Sequence, residues 1–203
     1  MQNWLDYVAF DESPTNRHIC EKAITRVYGD NSSRYFNLRN DLLRNRNDGT
    51  MDVVVICNVL HEISPNKWLS IFTKGSIIDR LLSNNGYLLI IEDNAIPVGE
   101  KPNEDGYFVL GGTELKDLFC MHPDSFTSSS VNNEGRLCAH LIPKEFLPNI
   151  TEDSIKIALD TLEKNCYDNI RRLRMSSANY KTGRLLAFWT QQLANIVIYK
   201  SGI

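Results

Sequence analysis

The sequence predicts an α/β chain built on a doubly wound, mostly parallel sheet, with an antiparallel hairpin at one edge and a helical extension at the carboxyl end. Three observations predict it. Asp52 to Cys57 (DVVVIC) and Tyr87 to Ile91 (YLLII) are apolar runs without alternation, as expected of strands buried on both faces of a parallel sheet. Between them Trp68, Ile71, Phe72, Ile77, Ile78, Leu81 and Leu82 recur at helical spacing, which predicts a crossover helix. Further on, Phe126 to Val131 and Arg136 to Leu141 flank a turn at Asn132-Asn133-Glu134-Gly135, the pattern of a hairpin.

The other elements follow in order. Residues 5 to 10 (LDYVAF) form a short strand ending at Asp11-Glu12, and Pro14 opens a helix from Asn16 to Tyr28 that Gly29-Asp30 closes. Residues 34 to 38 (RYFNL) form a second strand ending at Asn40-Asp41, and the DVVVIC strand stops at Asn58. The crossover helix begins after Pro65 and ends at Asn84-Asn85-Gly86. A long segment from Ala95 to Gly112 follows the YLLII strand, with the length of a substrate lid or of a plain surface loop, and Thr113 to Phe119 forms a short helix. Thr151-x-x-Ser154, with Glu152 and Asp153 in the first turn, opens the first of two final helices, over 151–174 and 180–199. This divides the chain into an α/β domain over 1–148 and a helical extension over 149–203 packed on it.

Composition narrows the function. At 203 residues, 42% hydrophobic and 23% charged, the chain is long enough to bury a large core without disulfides. No apolar run approaches the roughly 20 residues of a membrane span, and MQNWLDYVAF lacks the basic and apolar regions of a secretory signal, so a cytoplasmic protein with no membrane partner is expected. Five scattered cysteines without a C-x-x-C pair read as free thiols. A net charge of -3 argues against a broad nucleic-acid surface.

In doubly wound sheets, ligands sit beyond the carboxyl ends of the parallel strands. Here those ends carry Asp11, then Asn40-Asp41, then Asn58-x-x-His61-Glu62, then Glu92-Asp93. Such acceptor groups suit ribose hydroxyls, an adenine amino group and a cationic ligand. From Tyr7 to Pro143, and above all in DVVVICNVLHEIS and LLSNNGYLLIIED, the chain resembles the class I, Rossmann-like S-adenosylmethionine-dependent methyltransferases. The resemblance implies S-adenosylmethionine as cofactor and a small-molecule or protein methyl acceptor. It puts Asp11 at the cofactor ribose and Asp41 near the adenine. Asn58, His61 and Glu62 then face the methionine end and the substrate, with His61 as general base and Glu62 orienting it or binding a cationic group. The family's nucleic-acid amino methyltransferases carry [DNS]-P-P-[FYW] where this chain has Asn58-Val59-Leu60-His61, which disfavours base methylation.

One departure from the family matters most. Its first strand and glycine-rich G-x-G loop have no counterpart, since none of the eleven glycines stands two positions from another. Taking LDYVAF as the first strand, with DESPTN as a degenerate loop, leaves too few elements before Asn58, so LDYVAF corresponds to the second. The family's first strand lies between the second and fourth, and its absence exposes strand edges. The expectation is therefore the carboxyl-terminal part of a longer or split enzyme, completed by another chain or fragment. The alternative is an inactive interaction or regulatory module of the same fold.

Remaining clusters read as structural. Cys120-x-His122 and Cys138-x-His140 fit no common zinc spacing, so no metal is expected. Arg171, Arg172, Arg174, Lys181 and Arg184 read as a solvated helix face, and Leu185 to Val197 supplies packing positions.

Overall fold

A computed structural model describes residues 5–13, 15–93, 96, 99, 101–130 and 137–202. The chain is mixed α/β and divides into two compact units, Met1–Thr50 and Met51–Ile203.

The first unit contains β1 (Ala9–Phe10), α1 (Arg17–Tyr28), β2 (Tyr35–Phe36) and α2 (Arg39–Asn45). β1 and β2 pair in parallel, Ala9 with Tyr35 and Phe10 with Phe36. Helix α1 ends where Gly29 turns left-handed and its N–H donates to the Thr25 carbonyl, a conformation that suits a residue without Cβ. The second strand is shorter than expected, and Asn40 and Asp41 do not end it. They lie in the first turn of α2, where an acidic side chain complements the helix dipole.

The second unit is built on β3 (Met51–Cys57), β4 (Leu82–Asp93), β5 (Thr127–Ser130) and β6 (Leu137–Pro143). Their order is β3-β4-β6-β5, with β3 parallel to β4 and the remaining pairs antiparallel. The hairpin strands are thus present, while the Asn132 to Gly135 turn lies outside the described residues. The strands form this sheet and the separate β1-β2 pair.

Three local expectations are corrected. The single crossover helix is two short ones, α3 (Trp68–Phe72) and α4 (Ile77–Leu81). The chain breaks at Thr73 to Ser76, where Gly75 has φ 84° and the Ser76 hydroxyl caps α4 by accepting from the Asp79 N–H. Asn84-Asn85-Gly86 is not a helix stop but part of β4, inside the register shift between Met51↔Leu82 and Val53↔Tyr87. A Cβ at Gly86 would meet the Met51 and Ser83 carbonyl oxygens at 3.0 Å, tighter than ordinary contact, so the backbones would have to give way to any larger residue. Finally, β3 is not buried on both faces. It is an edge strand of the second unit, and Val53, Val55 and Cys57 are exposed.

On β4, Leu88, Ile90 and Glu92 are buried while Leu89 and Ile91 are only half-buried, so one sheet face carries the core. That face packs with Leu115, Leu118 and Phe119 of α5 (Gly112–Leu118) and the turn after it, and with Ile155, Ala158, Leu159 and Leu162 of α6 (Glu152–Arg174). Thr151 and Ser154 form the reciprocal capping box their spacing predicts. Ile196 of α7 (Tyr180–Ser201) joins the same core, so residues on both sides of position 149 share it. No described helix is long and apolar enough to cross a membrane.

Candidate functional site

The carboxyl ends of β3 and β4 position the only buried acid–imidazole pair among the described residues. β3 is followed by Asn58, which adopts φ 53° while its N–H donates to the Ile91 carbonyl at 2.8 Å. A left-handed residue reverses the chain sharply, and asparagine tolerates that conformation better than most side chains. The chain then enters the turn Leu60–Glu62 and crosses toward β4. There Glu92, 1% exposed, accepts from the Leu60 N–H at 2.9 Å through Oε1 and pairs with His61 Nδ1 at 2.6 Å through Oε2.

Glu92 therefore does the orienting that the sequence assigned to Glu62. Glu62 Oε1 lies 4.0 Å from His61 Nε2, and its side chain is half exposed. Burial alternates along β4, so that Leu88, Ile90 and residue 92 share the covered face and an acid there must find a partner, a face that the uniformly apolar run Tyr87–Ile91 does not mark in the sequence. His61 is itself 4% exposed. Its ring is fixed through Nδ1, which commits Nε2 to the other side, the arrangement of a base held in one orientation.

The segment after β4 covers this turn. The Phe108 N–H donates to the His61 carbonyl at 3.2 Å, Asn103 Nδ2 to the Glu62 carbonyl at 2.7 Å, and the Ser64 hydroxyl to Asp105. Tyr107 to Leu110 are buried, and α7 holds them. Gln192 accepts from the Val109 N–H at 2.7 Å, Tyr107 Oη donates to the Phe188 carbonyl at 3.2 Å, and the two rings stack 5.7 Å apart. Residues 107–110 are thus packed against α7 and do not form a plain surface loop. The Gln192 amide also donates to the Cys166 thiol, whose burial pushes its pKa up to about 12 and keeps it protonated. All five cysteines are free thiols.

His140 lies on the core face of β6, opposite Ile90, and stacks on Phe126 at 5.6 Å. It is 2% exposed with neither ring nitrogen hydrogen-bonded, and burial holds its pKa below the ordinary histidine value. Among the described residues no three His, Cys, Asp or Glu side chains converge as metal ligands would.

The structure thus brings Asn58, His61 and Glu62 together. Asp11 and Asp41 belong to the first unit. Asp11 follows β1 and closes its own turn by accepting from the Ser13 N–H at 2.9 Å, whereas Asp41 sits 3.8 Å from Arg44 on α2. Known protein families, curated proteins and solved structures give no match to this chain.

Proposed function

We propose that the chain carries the acceptor side of a class I S-adenosylmethionine-dependent methyltransferase acting on a small molecule or protein. The observation that carries this reading is the His61–Glu92 pair beyond the carboxyl ends of two parallel strands, beside the left-handed Asn58. The parallel β1-β2 pair and the antiparallel strands beside β4 agree with the elements the resemblance implies. S-adenosylmethionine, when bound, supplies an electrophilic methyl group. His61 then serves as the base for the proton of the acceptor hydroxyl or amine, and Glu92 holds the ring through Nδ1. Glu62, half exposed at 4.0 Å, favours a cationic group or the imidazolium. Asp11, at a strand end, fits a ribose-binding acid, while Asp41, inside a helical turn beside Arg44, fits an adenine contact less well.

A second reading has its own observation. His61 and Glu92 are both nearly inaccessible, and Glu92 also ties down the Leu60 N–H, so the pair serves equally as the pin of a noncatalytic interaction module. Calorimetric titration with S-adenosylmethionine and S-adenosylhomocysteine separates the two. Saturable binding that Asp11→Ala abolishes supports the enzyme. A folded, monodisperse chain that binds neither compound supports the module.

A further inference from the structure

The turn that joins α6 to α7 gathers charge and exposed apolar surface in one place. Residues 168–184 set Arg171, Arg172, Arg174, Lys181 and Arg184 against Asp168 alone, a net charge of +4 in a chain whose total is -3. All five cations are exposed, and Arg174 and Lys181 have no ion pair among the described residues. Arg171 sits 3.8 Å from Asp168 and Arg172 donates to the Asn169 side chain at 2.7 Å, exposed contacts for which water and salt compete. Between the cations stand Met175 and Tyr180, 90% and 82% exposed, the two most exposed large apolar side chains described. The packed part of the helix pair ends nearby. Phe188 is buried against Tyr107, and Arg184 stands about 6 Å along the helix from it. The Phe108 N–H in turn donates to the His61 carbonyl, so the tip continues the helix pair beyond the segment that covers the His61 turn.

We propose that this tip is a docking surface for a short acidic peptide segment of a partner protein, one with an apolar side chain among its carboxylates. Charge selects the partner. Residues 1–50 hold seven cations and seven anions and offer the tip no net complement, while the rest of the second unit carries a net -7. A long polyanion, such as a nucleic acid or an anionic lipid surface, extends past the tip and meets those acids within the roughly 8 Å over which charges are felt at physiological salt. A short acidic segment is held by the tip alone. Four of the five cations are arginine, whose planar fork takes a carboxylate through two parallel N–H bonds. Met175 and Tyr180 cover the partner's apolar group, the methionine by adapting its shape and the tyrosine by a ring that has the Arg184 guanidinium 6.0 Å from its centre. The proposal rests on the tip and is independent of the methyltransferase reading.

The test uses the full chain and a fluorescent twelve-residue probe peptide of Asp and Glu with two central leucines. Anisotropy at low salt should show saturable binding to the wild-type chain, weakened at least tenfold by Arg174→Glu/Lys181→Glu with the melting temperature retained, since both side chains are exposed. Met175→Ser/Tyr180→Ser should weaken binding several-fold and leave a leucine-free probe unaffected, a difference that charge alone does not produce. Should the charge-reversed variant fail to fold, Arg174→Gln/Lys181→Gln is expected to weaken binding at least threefold. The proposal is overturned if the wild-type chain ignores millimolar probe or if either folded variant binds it equally. It is also overturned if a single-stranded oligonucleotide or a phosphatidylserine vesicle binds the tip as tightly as the probe does, or if sedimentation shows a dimer that the charge-reversed variant dissociates.

Discussion

The first unit buries Ile24, Tyr35, Phe36 and Leu42 and leaves Leu5, Ile19, Val27 and Leu38 exposed, whereas the second buries a continuous core from Leu60 to Ile196. Their strands differ accordingly. β1 and β2 are two residues each, while β3 has seven and β4 twelve. A parallel pair gains little from its own hydrogen bonds, because water competes for them. It lengthens only where side chains on its faces are removed from water. In the second unit α5 and α6 cover one sheet face and supply that burial. The comparison teaches that similar local sequence signals give long or vestigial strands according to what packs on them.

The largest expected effect that sharpens this contrast is at Trp68, fully buried with Nε1 donating to the Ile63 carbonyl at 2.9 Å. Trp68→Ala should cost about 3–5 kcal/mol in denaturant unfolding of the second unit. Leu42→Ala in the first unit should fall at the low end for its type, about 2 kcal/mol. Equal losses would break the comparison.

Glu92→Ala comes next. It leaves the Leu60 N–H and His61 Nδ1 without the acceptor they share, and should destabilise by on the order of 3 kcal/mol in thermal unfolding. Glu92→Gln, which keeps an acceptor oxygen, should lose less.

His140 predicts a pH dependence confined to the second unit. Its folded pKa is lowered by burial, so the unfolded chain binds its proton first as pH falls. Stability contributed by the neutral ring is complete above the ordinary histidine value near 6.5 and is lost below it, by up to about 1.4 kcal/mol per pH unit until the folded group also titrates. Melting curves between pH 7 and pH 5 should show this slope, and His140→Leu should flatten it.

The smallest expected effect is at the start of α6. Thr151→Ala removes the hydroxyl that accepts from the Ser154 N–H at 3.0 Å and should cost about 1 kcal/mol by denaturant titration. A loss several times larger would mean that the cap also holds Ser154, which donates to the Leu118 carbonyl, in place between α5 and α6.

Elements whose ends carry their own chemistry were legible in the sequence. Gly29 ends α1, the Thr151–Ser154 pair starts α6, and the runs at β3 and β4 are strands because their β-branched and aliphatic residues fit a pleated sheet. Asn58 and His61 were legible as strand-end residues, since a polar group directly after a buried strand sits where ligands bind. Glu92 was seen as a strand-end acid but not as the partner of His61. That partnership depends on how far the Leu60–Glu62 turn reaches across to β4, a distance set by packing. The break between α3 and α4 carries its own chemistry in Thr73-Lys74-Gly75-Ser76, a polar stretch with a left-handed glycine and a capping serine, which the helical spacing on either side of it masked.

By itself the sequence determined the capped helices α1 and α6 and the central residues of β3 and β4, because capping, φ preference and side-chain type act over a few residues. It also determined which polar groups stand at strand ends. Tertiary structure alone decided that β3 lies at an edge, that residues 107–110 are buried under α7, and that His61 is held by Glu92 rather than by its neighbour Glu62. These depend on which surfaces are removed from water together, and that is a property of the assembled core rather than of any segment within it.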